Sequence, residues 1–255
     1  MNTFWSELRR TLVPDRAGAD GPLPPLLVAM TFVTGLVDAF SFLELGHVFV
    51  ANMTGNVVFL AFALGGAKGF SIPASLIALG AFSLGALGAG RISSRCRHNR
   101  SRLLSQVAAV QTLFLFAAVV LAGLSGGPVA PGYRYGLIVV LGGAMGLQNA
   151  TARKLAVADL TTTVLTMTLT GLSADSALGG GGGSRAGRRV VAIGSMLLGA
   201  LFGVLLVRHV DIAYPLAVAG VVVAGVASLA RVLGRSDPAW IRFHNEQPPP
   251  GSSSA

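Results

Sequence analysis

The spacing of the apolar residues constrains this chain most, because they fall in blocks close to the thickness of a bilayer. A helix needs roughly 20 apolar residues to cross the hydrocarbon core. Blocks run at about 24–46, 48–66, 70–90, 103–124, 135–152, 157–173, 190–207 and 213–233, and six of the eight come near that length. Only 11% of the 255 residues are charged and the mean hydropathy is +0.69, whereas a soluble domain carries about a quarter charged residues. An ordinary soluble core is thereby excluded, and no charged stretch remains to cover a second domain. We expect one membrane domain over 23–235, a polar N-terminal tail over 1–22 and a disordered, Pro- and Ser-rich tail over 236–255. The N-terminal tail has no small-residue cleavage site after a short apolar core, so it reads as retained rather than as a signal peptide.

A net charge of +9 invites a nucleic-acid reading. The basic residues lie between apolar blocks, however, so no nucleic-acid partner is expected and the lipid bilayer is. A lone cysteine, Cys96, rules out an intramolecular disulfide framework. Cys96 and His98 have no further Cys or His ligands nearby, so no metal is expected. Gly179 to Gly183 read as a flexible linker and not a phosphate loop, since no Lys-Ser/Thr follows. With no nucleophile–base pair and no clustered ligands, neither an enzyme nor a cofactor is expected.

Two blocks differ from the rest. The one at 48–66 opens with Asn52, Thr54, Gly55 and Asn56, and the one at 157–173 carries Thr161, Thr162, Thr163, Thr166, Thr168 and Thr170. Broken or polar backbone at membrane depth is tolerated where it is buried in protein or lines a cavity. Both blocks are therefore expected to be re-entrant or broken.

Charge placement supports this, because Lys and Arg concentrate in cytoplasmic loops. If all eight blocks cross, the loop holding Arg91, Arg95, Arg97, Arg100 and Arg102 faces outward. If only six cross, 16 of the 19 basic residues lie inside, and only Lys68, Arg134 and Arg208 lie outside. Both termini are then cytoplasmic. The expected fold class is all-α: a polytopic helix bundle with about six crossing helices and two re-entrant or broken segments. The alternative is an eight-helix bundle in which both polar blocks are ordinary buried helices.

Self-comparison suggests a duplication. Gly35-Leu36-Val37-Asp38-Ala39 resembles Gly146-Leu147-Gln148-Asn149-Ala150 at an offset of 111. Met53-Thr54-Gly55-Asn56 lies on Leu165-Thr166-Met167-Thr168 at 112, and Leu84-Gly85-Ala86-Leu87 on Leu198-Gly199-Ala200-Leu201 at 114. With six crossings the two copies, about 24–124 and 135–233, are inverted. Inverted repeats with broken helices are a recurring transporter plan, with the site at the repeat interface.

The string from Gly35 to Leu43, with Val48-Phe49-Val50 and Met53-Thr54-Gly55-Asn56, resembles the signature of the YoaK-like family of bacterial inner-membrane proteins, a domain-of-unknown-function group (DUF1275). Gly146 to Ala150, followed by the Thr-rich run, resembles its second signature. The resemblance covers about residues 25–233. It implies a multi-pass inner-membrane protein and supplies no established substrate or reaction. Where such proteins tend to read Thr-Gly-Thr in the second half, this chain has Thr166-Met167-Thr168.

Asp38 lies near the middle of the first block, where a carboxylate is expensive unless protonated, paired or hydrated; such residues are functional candidates by default. It can couple to protons, or it can make one interhelical hydrogen bond, Asn149 being the natural partner. Thr54, Asn56, Thr166 and Thr168 suit the starts of short helices. Two such starts at membrane depth would favour an anion or polar solute, unless the side chains only satisfy their own backbone. The candidate solute-binding set is Asp38, Asn52, Thr54, Asn56, Asn149, Thr166 and Thr168. Glu44 and His47 read as an exposed interfacial pair, and Asp159 as an ion-pair partner of Arg153 or Lys154. Small residues every four positions, Ala81/Gly85/Ala89 and Ser195/Gly199/Gly203, let helices approach closely; they should pack internally or form a homodimer seam through Gly85 and Gly199. The functional expectation is a transporter or channel-like permease for a small polar or anionic solute. The alternative is a non-transporting scaffold or accessory protein.

Overall fold

The computed structural model describes residues 2–14, 18, 20–96, 99–125, 129–158, 160, 165–175, 185–236, 240–241 and 243. Among these, all regular structure is helical: α1 Asn2–Leu12, α2 Leu23–Glu44, α3 Met53–Leu64, α4 Ile72–Arg95, α5 Arg100–Ser125, α6 Pro131–Leu155, α7 Leu165–Ala174, α8 Ala186–His209 and α9 Tyr214–Ser236. Proline sits in the first turn of α2, α4 and α6, where its missing N–H would be unpaired in any case. Ser71 caps α4 by accepting from the Ala74 amide at 3.4 Å, and α6 stops at Ala156 in a left-handed conformation.

Six helices have 22 to 26 residues, about 33–39 Å at 1.5 Å per residue. That is enough to cross a bilayer core of ~30 Å. Five of them are also apolar enough. The sixth, α6, carries Gln148 and Asn149 in its interior and is walled in by protein instead of lipid. It lies against α4 and α5, while α2 lies against α8 and α9, and α5 pairs with α9. The buried faces of α2 and α6 form the middle of the core. Flanking helices α4 and α8 turn Leu84, Leu87, Leu197, Leu198 and Leu201 outward, as lipid-facing walls do.

With 12 and 10 residues, α3 and α7 are about 18 and 15 Å long and cannot cross. Each belongs to a closed excursion. Nδ1 of His47, just before the first, hydrogen-bonds the Gly69 carbonyl oxygen just after it, at 3.1 Å. Around the second, Arg188 donates to the Ala158 carbonyl oxygen at 3.2 Å and Arg189 pairs with Asp175 at 2.9 Å. Both excursions thus return to the end of the bundle they left, and the eight-crossing alternative falls. Asp159, Thr161 to Thr163 and the linker Gly179 to Gly183 lie outside the described residues.

At one end of the bundle, buried Arg100 joins four parts of the chain. Its guanidinium reaches Asp20 at 3.1 Å and the Leu155 carbonyl oxygen at 2.7 Å, and its backbone N–H donates to the Ile241 carbonyl oxygen at 2.8 Å. Trp240, 1% exposed, closes over Gly21, whose φ of +51° and crowding by the indole both demand glycine. Trp240 and Ile241, in the stretch expected to be disordered, are thus packed against the bundle end. The N-terminal tail contains α1, held on α8 by Glu7 accepting from the Gly187 amide at 3.2 Å.

The small-residue faces are consumed inside the protomer. A Cβ on Gly85 would strike the Gly143 carbonyl, and one on Gly199 the Phe32 carbonyl. Likewise a Cβ on Gly35 would meet the Met196 carbonyl and the Ala200 amide, and one on Gly146 the Phe82 carbonyl and the Ala86 amide. The expected homodimer seam through Gly85 and Gly199 is corrected accordingly, since neither face is open to a second copy.

Candidate functional site at the break between α2 and α3

Between Glu44 and Met53 the chain leaves helix, yet Val48, Val50 and Ala51 are buried. Backbone amides in such a place must find partners, because no water reaches them there to substitute. Asp38, 4% exposed on α2, supplies them: Oδ1 accepts from the Val50 amide at 3.1 Å and from the Ala51 amide at 2.8 Å. Oδ2 is also buried and makes no hydrogen bond among the described residues. Fully buried Asn56 clamps Phe49 on both sides, donating to its carbonyl oxygen at 2.6 Å and accepting from its amide at 2.9 Å. Asn52 caps α3 by accepting from the Gly55 amide at 3.5 Å.

Three of the residues singled out from the sequence, Asp38, Asn52 and Asn56, therefore meet around one length of broken backbone. Thr54 is exposed beside them. The other members lie elsewhere. Asn149 donates to the Met145 carbonyl oxygen of its own helix at 3.0 Å, and the expected Asp38–Asn149 bond is absent: Asp38 is taken up by the α2–α3 connection. Thr168 is buried on α7 and Thr166 is exposed. No contact among the described residues joins α3 to α7. His47 turns to Gly69, not to Glu44.

Two features of the core were not anticipated. Phe42, Phe49 and Phe59 stack around the break with centroids 5.1 to 6.0 Å apart, and Phe70 continues the cluster 5.1 Å from Phe59. Gly55 is glycine because a Cβ would strike the Phe49 ring. Deeper in, Gln111 donates to Gln148 Oε1 at 2.7 Å, and Gln148 Nε2 donates to Thr34 Oγ1 at 2.7 Å and to the Met30 carbonyl oxygen at 3.1 Å. This chain of amides crosses the bundle from α5 through α6 to α2. The available signal was Gln111, an amide toward the middle of the 103–124 block.

Among the described residues no three His, Cys, Asp or Glu side chains converge as a metal site would require. Cys96 donates to Gln106 Oε1 at 3.1 Å instead. The distinctive group is Asp38 Oδ2, a buried carboxylate oxygen that a proton or a donor-bearing solute would satisfy.

Residues 26–229 match the family model described as "Protein of unknown function (DUF1275)". The chain is also 34% identical over 152 residues to the UPF0700 transmembrane protein YoaK of Bacillus subtilis (strain 168), a match spanning 59% of this chain and 65% of that relative. No solved structure matches. A family model covering nearly the whole bundle, together with its long apolar helices, makes the chain a multi-pass membrane protein belonging to the DUF1275 family.

Proposed function

We propose that the protein is a transporter or channel-like permease for a small polar or anionic solute, with Asp38 and the broken α2–α3 connection as its working centre. The observation that carries this reading is the Asp38 carboxylate. One oxygen holds buried non-helical backbone while the other is buried and makes no hydrogen bond among the described residues. Intramembrane ionisable groups that are not neutralised by a partner mark solute or proton paths. The transport reading also takes the bundle as two inverted copies of one unit, set in the inner membrane with both termini in the cytoplasm. Support for duplication comes from register. The starts of α4 and α8 are 114 residues apart, and so are those of α5 and α9. The glycine seams match as well: α2 on α8 through Gly35 and Gly199, α6 on α4 through Gly146 and Gly85.

The test is flux through proteoliposomes loaded with a pH-sensitive dye and challenged with chloride, nitrate, formate and phosphate. Asp38→Asn is the informative variant, because the amide oxygen can still accept from Val50 and Ala51 while the charge is gone. Loss of flux in a folded Asp38→Asn protein supports the proposal. No flux for any solute in the wild type, or flux unchanged by the substitution, leaves Asp38 as a structural clamp and favours the scaffold reading.

A further inference from the structure

The basic end of the bundle holds a cavity of about 800 Å³ between the start of α5 and the end of α9. Its walls carry three arginines, Arg102 from α5 and Arg231 and Arg235 from α9, with Asn99, Ser105 and Ser228 between them. Among the described residues the lining contains no acidic side chain, and no ion pair joins any of the three guanidiniums to a carboxylate. Three like charges gathered around one hollow repel one another, and a bound anion removes that cost. The hollow is anchored at its back, where Ser101 donates to the Ala230 carbonyl oxygen at 2.6 Å and Gly234 lets the helices touch at Ser101.

The two walls do not stay polar. Following α5 inward from Arg102, the same outward stripe runs through Gln106 and Ala109 to Leu113, Phe116, Val120 and Leu124, all exposed. On α9 the stripe from Arg235 passes Arg231 and Ser228 to Gly225 and Val221, also exposed. A cationic, hydrogen-bonding mouth at the headgroup level thus opens onto an apolar track at acyl-chain depth. Free phosphate would use only the mouth; a phospholipid uses both.

We propose that the α5–α9 cavity binds the phosphate headgroup of an anionic phospholipid, with Arg102, Arg231 and Arg235 as the phosphate ligands and the Leu113–Phe116–Val120 stripe as the acyl-chain seat. Basic hollows between transmembrane helices are the usual form of such sites. Guanidinium suits the ligand, since its planar donors match phosphate oxygens two at a time.

The experiment uses the full chain purified in detergent, with binding read by native mass spectrometry and by the shift in melting temperature. The titrants are phosphatidylglycerol, phosphatidylcholine and inorganic phosphate. Phosphatidylglycerol should bind and raise the melting temperature, whereas phosphatidylcholine and phosphate at matched concentration should do neither. Each of Arg102→Gln, Arg231→Gln and Arg235→Gln should weaken phosphatidylglycerol binding about fivefold. Leu113→Ser should weaken it while leaving headgroup chemistry intact. Arg91→Gln with Arg95→Gln removes two charges from the same end outside the cavity and should leave affinity unchanged. All five arginine sites are exposed, so these variants fold. Equal loss in the Arg91/Arg95 control would mean diffuse attraction and would overturn the site. Saturation by inorganic phosphate alone would overturn the lipid assignment, and equal binding of phosphatidylcholine would overturn the role of the arginines.

Discussion

Gly199 of α8 lies against Phe32 of α2 so closely that a Cβ on the glycine would occupy the place of the Phe32 carbonyl oxygen. Gly85 stands in the same relation to Gly143 across the α4–α6 seam. Because the obstacle is backbone, no rotamer change relieves it. Gly199→Ala and Gly85→Ala should each destabilise the protein by about 3 kcal/mol, the upper range for overpacking. Gly80 and Gly194, on the same two helices, have open space where a Cβ would go. There Gly→Ala should be neutral or stabilise by up to ~1 kcal/mol. Thermal unfolding in detergent checks all four; equal effects at the two kinds of position would contradict the seams.

Asp38 bears on stability as well as on transport. Asp38→Ala leaves the Val50 and Ala51 amides buried without an acceptor, at a cost of about 1–3 kcal/mol each. The loss should be local, appearing as faster amide exchange over residues 45–52. Asp38→Asn should keep most of the protection. Hydrogen exchange read by mass spectrometry separates the two; equal protection in Asp38→Ala would show that the clamp is dispensable.

Much of this architecture was legible because the bilayer imposes coarse rules on a sequence. Polar residues inside two of the blocks, together with the placement of Arg and Lys, separate six crossings from two short excursions, and Asn52 marks the first break. What escaped has a common physical reason. Gln148 and Asn149 are adjacent in sequence, but a helix turns them about 100° apart, and only packing decides that Gln148 bridges α5 and α2 while Asn149 bonds its own helix. Arg100 read as one of five loop arginines, and its role depends on Asp20, Leu155 and Ile241 arriving from distant parts of the chain. Asp38 was legible as costly, yet its partners are backbone amides, which every residue has and no sequence pattern marks.

The Gln111–Gln148 bond should be measurable as a coupling energy. Gln148→Leu strands the Gln111 amide, while the Thr34 hydroxyl keeps its bond to the Met30 carbonyl oxygen, and should cost about 1–3 kcal/mol. Gln111→Leu removes a side chain whose own Oε1 makes no hydrogen bond among the described residues, so it should cost less. In a double-mutant cycle the pair should show about 0.5–2 kcal/mol of coupling, the range for polar contacts between membrane helices. Strictly additive effects would mean that the contact contributes nothing.

Trp240 should hold the basic end together although it lies beyond the last helix. Trp240→Ala empties a site that is 1% exposed, and it should cost about 3 kcal/mol. Gly21→Ala should destabilise too, since it adds left-handed strain and a collision with the indole. Limited proteolysis of both variants should cut earlier at the chain ends than in wild type, with α2 and α6 still protected. Unchanged cutting in Trp240→Ala would mean that the tail is not anchored there.

Sidedness is tested by placing single cysteines in a Cys96→Ser background. Lys68, Arg95 and Arg185 are all exposed. Lys68 follows the first excursion, at the end where His47 meets Gly69, whereas Arg95 and Arg185 adjoin the end gathered by Arg100 and Arg188. Gly187 is a poor choice because it is crowded by Phe4 and Glu7 of α1. Lys68→Cys should react with a membrane-impermeant maleimide on intact cells, while Arg95→Cys and Arg185→Cys should react only after permeabilisation. The reverse pattern would invert the protein in the membrane and keep the fold. Labelling of position 68 from the same face as position 95 would mean that α4, whose 24 residues join the two positions, does not cross, and would overturn the six-crossing arrangement.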